Sequence, residues 1–119
     1  MASANLARQL AMNVETWVAL QRYGVTERTD VRLDFHYDAP SRAAAEKLVA
    51  LLRAETGYDV GEPQASGSFF SRTFAISGTT QSTTVSLDIL SRWVTWMDAA
   101  GEESGCTFDG WGAQAPAAA

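Results

Sequence analysis

The stretch "VRLDFHYDAPSRAAAEKLVALLRAETGYDV", residues 31–60, carries the reading of the fold. Its first eight residues alternate. Val31, Leu33, Phe35 and Tyr37 fall on one side; Arg32, Asp34, His36 and Asp38 fall on the other. Successive strand side chains point to opposite faces, so this pattern predicts a half-buried strand with one polar face. "APS" (39–41) breaks the strand and starts a helix near Ser41. Ala44, Leu48, Leu51 and Leu52 form an i, i+4, i+7, i+8 stripe along that helix, and Gly57 ends it. "YDVGE" (58–62) reads as a second, short strand.

The flanking segments extend the pattern. Upstream, roughly Leu6 to Tyr23 is a predicted helix with Leu10, Val14, Trp17, Val18 and Leu20 at near-helical spacing. Asn13 is a candidate cap for its second part, and Gly24 is its stop. "VTERTD" (25–30) reads as a polar linker. Downstream, "PQASGS" (63–68) is a predicted turn, "FFSRTFAIS" (69–77) a third strand and "GTTQSTT" (78–84) a loop. A long helix is expected from about Val85 to Glu103. Ile89, Trp93 and Trp96 form one apolar stripe and Leu90, Val94 and Met97 its neighbour, and both tryptophans are assigned to the core. A last strand covers about Cys106–Trp111, and "AQAPAAA" (113–119) is a low-complexity end.

After the first helix the order is β-α-β-β-α-β. This predicts an α+β, ferredoxin-like sandwich: a four-stranded antiparallel sheet, two helices on one face, and an additional N-terminal helix. The second sheet face is left open or covered by that N-terminal helix. The expected organisation is residues 1–27 as helix and linker, 28–113 as the α+β domain and 114–119 as a disordered tail.

Composition excludes several classes of function. The chain has 119 residues, 46% of them hydrophobic, which suits one domain with one core. No apolar run approaches the roughly 18–20 residues that span a bilayer, and the N-terminus lacks the long apolar stretch of a signal peptide. Cys106 is the single cysteine, so no internal disulfide forms, and a cytoplasmic location follows as the default. The net charge is -5, and Lys47 is the only lysine beside eight arginines. After Arg92 no basic side chain follows, whereas Asp98, Glu102, Glu103 and Asp109 do. A nucleic-acid grip concentrates positive charge instead, so direct nucleic-acid binding is not expected and a basic protein partner suits the balance.

Residues that could do chemistry are few. His36 and Cys106 are the only candidates for a nucleophilic dyad. His36 lies on the polar strand face and Cys106 shares parity with the apolar Phe108, so no catalytic residue is assigned. His36 between Asp34 and Asp38 on one strand cannot wrap a metal alone, so no metal site is expected. No glycine-rich phosphate loop is present, and no cofactor is expected. The fold is shared with RNA-recognition-motif domains, which display aromatic side chains on the open faces of the first and third strands. Here Phe35 and Tyr37 belong to the opposite face.

The end of the chain, "TFDGWG" (107–112), is more unusual. Trp111 alternates with Asp109, opposite Phe108, and glycine flanks it on both sides. Gly110 and Gly112 could allow a turn or bulge, with the indole N–H fixing the strand end. They would also leave the indole uncovered by neighbouring side chains, as suits an anchor for a partner.

"FDGWG" (108–112), following a helix that ends in "AAGEESG" (99–105), resembles the "YDGWG" signature of the regulator of ribonuclease activity B (RraB) family. Residues 31–60 resemble that family's first strand, helix and second strand, and "SLDILSRWVTWMDAAGEES" its second core helix. The likeness spans roughly residues 14–112; Phe108 stands where the family has tyrosine, and the first 14 residues contain no acid. It implies a ferredoxin-like sandwich without cofactor that binds a ribonuclease E-type endoribonuclease and lowers its activity. The partner surface it implies is the nuclease's arginine-rich region, to which an acidic domain is electrostatically suited.

The expectation is therefore a non-enzymatic, protein-binding regulator. Asp109, Trp111, Asp34, His36 and Asp38 are its candidate partner contacts, and Phe108, Gly110 and Gly112 its structural motif. The rival is a small-ligand or enzymatic dimeric α+β-barrel-like domain using His36, with two open sheets meeting across a dimer. The partner's identity and the oligomeric state stay open at this point.

Overall fold

The computed structural model describes residues 4–67 and 72–114. The beginning of the third predicted strand, including Phe69 and Phe70, lies outside the described residues, as do positions 115–119 of the end segment. The chain forms α1 (Ala4–Arg22), β1 (Asp30–Ala39), α2 (Arg42–Glu55), β2 (Asp59–Val60), β3 (Gln64–Ser66), β4 (Thr73–Thr79), β5 (Thr83–Thr84), α3 (Leu87–Ser104) and β6 (Thr107–Gln114). Among the described residues it is an α+β fold with three helices and one sheet.

The alternation in β1 is borne out. Val31, Leu33, Phe35, Tyr37 and Ala39 are buried, while Arg32, His36 and Asp38 are exposed. β1 is the central strand: β4 pairs along one side and β6 along the other, with β5 on its first two residues. β2 and β3 both pair with β4 as successive pieces of one edge. Every pairing among the described residues is antiparallel.

Among the described residues the sheet thus has six strands where four were expected. Two departures account for this. The expected turn at 63–68 contains β3, and Pro63, which has no N–H to give to a ladder, interrupts the edge between β2 and β3. The expected loop at 78–84 contains β5, where Thr83 and Thr84 meet Val31 and Asp30.

Both core helices are capped by their own sequence. Ser41 Oγ accepts from the Ala44 N–H at 3.1 Å and Ser86 Oγ from the Ile89 N–H at 3.2 Å. Gly105 ends α3 in the left-handed region, at φ 80°. Leu48, Val49 and Leu52 of α2, and Leu90, Val94 and Met97 of α3, pack on the inner side of the sheet against Phe35, Tyr37, Ile76, Phe108 and Val31. Gly101 brings α3 close to β1: a Cβ there would stand 2.9 Å from the Tyr37 ring. The Tyr37 hydroxyl donates to the Met97 carbonyl at 2.7 Å. Burial raises its pKa above the ordinary tyrosine value, and the Asp98 charge adds to the rise.

The buried stripes of α3 and α1 are narrower than the apolar spacing predicts. Ile89 and Trp96 of α3 are exposed, although both belonged to the expected core face. In α1, Val14 and Val18 are exposed, and the buried positions are Gln9, Asn13 and Trp17. Asn13 is not a cap but an interior residue of one unbroken helix. With Asn5 these residues recur every four positions and face β6 and α3. Asn5 Nδ2 donates to the Phe108 carbonyl at 2.9 Å and to Asp98 Oδ1 at 2.8 Å. Trp17 shares a core cluster with Val31, Leu33, Val85 and Leu90, so α1 lies on the inner side and no described helix covers the outer sheet face.

Candidate functional site

The outer sheet face can be assembled row by row from the register. Asp34 lies opposite Gly112 on β6 and Thr79 on β4, and Thr79 in turn lies opposite Asp59 on β2. In the next row His36 lies between Gly110 and Ser77. Asp38 lies between Thr107 and Ala75. Directly opposed residues of an antiparallel pair share a face. Three carboxylates and an imidazole therefore stand among glycines, alanine and small hydroxyls. Asp34, His36, Asp59, Gly61, Ser77 and Thr79 line a shallow open depression of about 390 Å³. The Asp34 and Asp59 backbones, two strand spacings apart, are separated by about 10 Å.

The charge of this face is weakly compensated. Arg32 is its one guanidinium on β1, and its Nε donates to the Thr80 carbonyl at 3.2 Å. The Asp34 carboxylate accepts instead from the neutral Gln114 amide, at 3.0 and 3.2 Å. Among the described residues the ion pairs are Arg53–Glu62 and Arg92–Asp88, and neither involves Asp34, Asp38 or Asp59. No group of three or more His, Cys, Asp and Glu side chains among the described residues is placed to hold a metal. No phenylalanine, tyrosine or tryptophan occupies a described outer position of β1 or β4. No described helix is long and apolar enough to cross a membrane.

The predicted contact residues divide. Asp34, His36 and Asp38 share the open face, and Asp109 is exposed at its β6 margin. Trp111 does not join them. The register shifts between His36 and Tyr37: His36 pairs with Gly110, but Tyr37 pairs with Phe108. Asp109 is the extra residue, a β-bulge. Gly110, at φ 146°, takes up the bulge in a conformation that disfavours a side chain. Beyond it the alternation is inverted, and Trp111 comes opposite the inward-facing Phe35. The half-buried indole stacks edge-on against Trp93, 6.0 Å between centroids, and its Nε1 donates to Asn13 Oδ1 at 2.8 Å. The uncovered indole considered from sequence is therefore replaced by a packed and hydrogen-bonded one.

His36 and Cys106 are likewise apart. His36 is exposed on the outer face, whereas Cys106 is buried in the core cluster with its thiol 3.4 Å from the Ala44 carbonyl. Burial raises the pKa of that thiol, which disfavours the nucleophilic thiolate.

Sequence reasoning missed Asp59, Ser77, Thr79 and Gln114 as members of the face. The "YD" of 58–59 carried a usable signal, since Tyr58 and Asp59 alternate. Gln114 carried none, because it belonged to the expected tail. β6 reaches Gln114 through its pairing with Arg32 and its bond to Asp34. Compared with known proteins, the chain matches no protein-family model and no curated protein.

Proposed function

We propose that this protein is a non-enzymatic regulator that docks, through the outer sheet face, on a basic protein segment. The observation that carries this reading is the set of Asp34, Asp38 and Asp59 on an open face whose neighbours are glycine, alanine, serine and threonine. Small neighbours let a partner backbone approach closely. Carboxylates without arginine partners gain most when a partner supplies cations. Two copies meeting through this face would bring like charges together, which disfavours the dimeric-barrel alternative.

The fold is read as ferredoxin-like. With β2 and β3 taken as one edge, the order β6-β1-β4-β2 and the crossovers through α2 and α3 fit two interlocked βαβ units. With the "FDGWG" resemblance, the partner we propose is the arginine-rich region of a ribonuclease E-type endoribonuclease, and the effect is lowered cleavage by occlusion. A cytoplasmic setting goes with that partner.

The test is calorimetric titration of the purified protein with such an arginine-rich region at low and high salt. Binding is expected to weaken steeply with salt, because exposed charges are screened within about 10 Å at 0.1 M. The double variant Asp34→Asn/Asp38→Asn is expected to bind less tightly and to restrain RNA cleavage less. Salt-independent binding, or binding unchanged in that variant, would refute the reading.

A further inference from the structure

Trp96 was expected in the core, but its side chain stands outside it, 39% exposed. It lines a groove of about 280 Å³ between α2 and α3, with Leu51 and Glu55 on one wall and Ala99, Ala100 and Glu103 on the other. The spacings place these residues on facing stripes: i, i+4 on α2 and i, i+3, i+4, i+7 on α3. The small Ala99 and Ala100 leave room beside the partly exposed indole. Neither Glu55 nor Glu103 makes an ion pair with a described residue. The ammonium of the nearby Lys47 is engaged by the Glu103 main-chain carbonyl at 3.0 Å.

A partly exposed indole that shares a groove with two carboxylates has a defined chemical preference. The ring face attracts a cation, and tryptophan does so best among the aromatics. A guanidinium stacks on the ring and keeps its forked donors for a carboxylate, whereas an ammonium is a more strongly hydrated point charge. The aliphatic stem of the same side chain lies well on an apolar floor such as Leu51 and the alanines. We infer that this groove is a second docking site and that its occupant is an arginine side chain of the basic partner. The inference rests on the proposed basic partner and adds a separate contact on the helical side of the molecule. A segment with several arginines could then engage both surfaces, which multiplies its effective affinity.

The test follows the backbone amide signals together with the indole N–H signals of the four tryptophans by nitrogen-15 NMR, with Trp96→Phe assigning its own indole signal. The probe is a short capped oligo-arginine peptide. Capped oligo-lysine and uncharged leucine–serine peptides of equal length serve as controls. The Trp96 signal is expected to shift with the arginine peptide, less with lysine, and not with the uncharged peptide. Glu55→Gln/Glu103→Gln is expected to weaken that shift's apparent affinity about fivefold, the size expected for two exposed charge contacts. Asp34→Asn/Asp38→Asn is expected to leave it unchanged. If the arginine peptide perturbs outer-face signals but not Trp96, this inference falls and the docking face stands. An equal shift with the uncharged peptide shows an apolar groove and also overturns it. No response anywhere to the arginine peptide defeats both.

Discussion

The two faces of the β1–β6 ribbon are built from interleaved residues and have opposite characters. Inward, Phe35, Tyr37, Phe108 and Trp111 form a continuous aromatic layer with Trp93 and Tyr58. Its polar atoms are satisfied: Trp93 Nε1 donates to the Tyr58 hydroxyl at 3.0 Å, Tyr37 to Met97, and Trp111 to Asn13. Outward, Asp34 and His36 stand beside Gly112 and Gly110, with nothing described packed over them. A single inserted residue, Asp109, makes this division possible. Without the bulge, Trp111 would fall on the charged face and the inner layer would end at Phe108. The same glycines that fit the bulge and the strand end keep the outer face low.

The contrast can be broken hardest at Trp111. Trp111→Ala removes the ring from Trp93 and leaves the buried Asn13 Oδ1 without its donor. Chemical denaturation is expected to show a loss of roughly 2–4 kcal/mol, towards the lower end of the range for large aromatic truncations because the ring is only half-buried. A variant as stable as the parent would show that the indole is not part of the core.

Gly110→Ala probes the bulge itself. A Cβ there meets nothing within 4 Å, so the cost comes from the backbone at φ 146°. A loss of about 1–2 kcal/mol is expected, against less than about 0.5 kcal/mol for Gly112→Ala, whose φ is not positive and whose surroundings are equally empty. Equal effects at the two glycines would remove the bulge from the argument.

Tyr37 tests the inner layer by pH. Its folded-state pKa is raised, so the folded protein holds the phenolic proton more tightly than the unfolded chain does. The associated stability is fully present below the unfolded value of about 10 and is lost as pH rises beyond it. Tyr37→Phe is expected to cost about 1 kcal/mol at neutral pH, through the lost bond to Met97, and to flatten the alkaline decline. Denaturation curves taken across that range decide the matter.

The smallest effect on stability is expected on the outer face. Asp34→Asn/Asp38→Asn should lie within about 0.5 kcal/mol of the parent, as befits surface positions, while its partner binding changes. A large destabilisation would mark these carboxylates as structural.

The alternation in residues 31–38 and the stripe of α2 were legible because each element buries one face, and burial leaves a period in the sequence. The caps at Ser41 and Ser86 and the stop at Gly105 follow from local hydrogen bonding and chirality. The inward face of α1 was hidden for the opposite reason. Gln9 and Asn13 are buried and, with the half-buried Asn5, hydrogen-bond to β6, so a search for hydrophobic spacing passes over them. Trp96 was hidden because apolar character alone does not say how wide a helix's partner is. α2 covers only part of the stripe, and the remainder faces solvent.

Composition and periodicity were thus enough to define an acidic α+β chain with one polar strand face, since short-range forces and burial act residue by residue. The side on which Trp111 stands, the neighbours of Asp34, and the helix flank left bare at Trp96 depended on register and packing. Those relations join residues far apart in the chain, where one additional residue in a strand reverses everything beyond it.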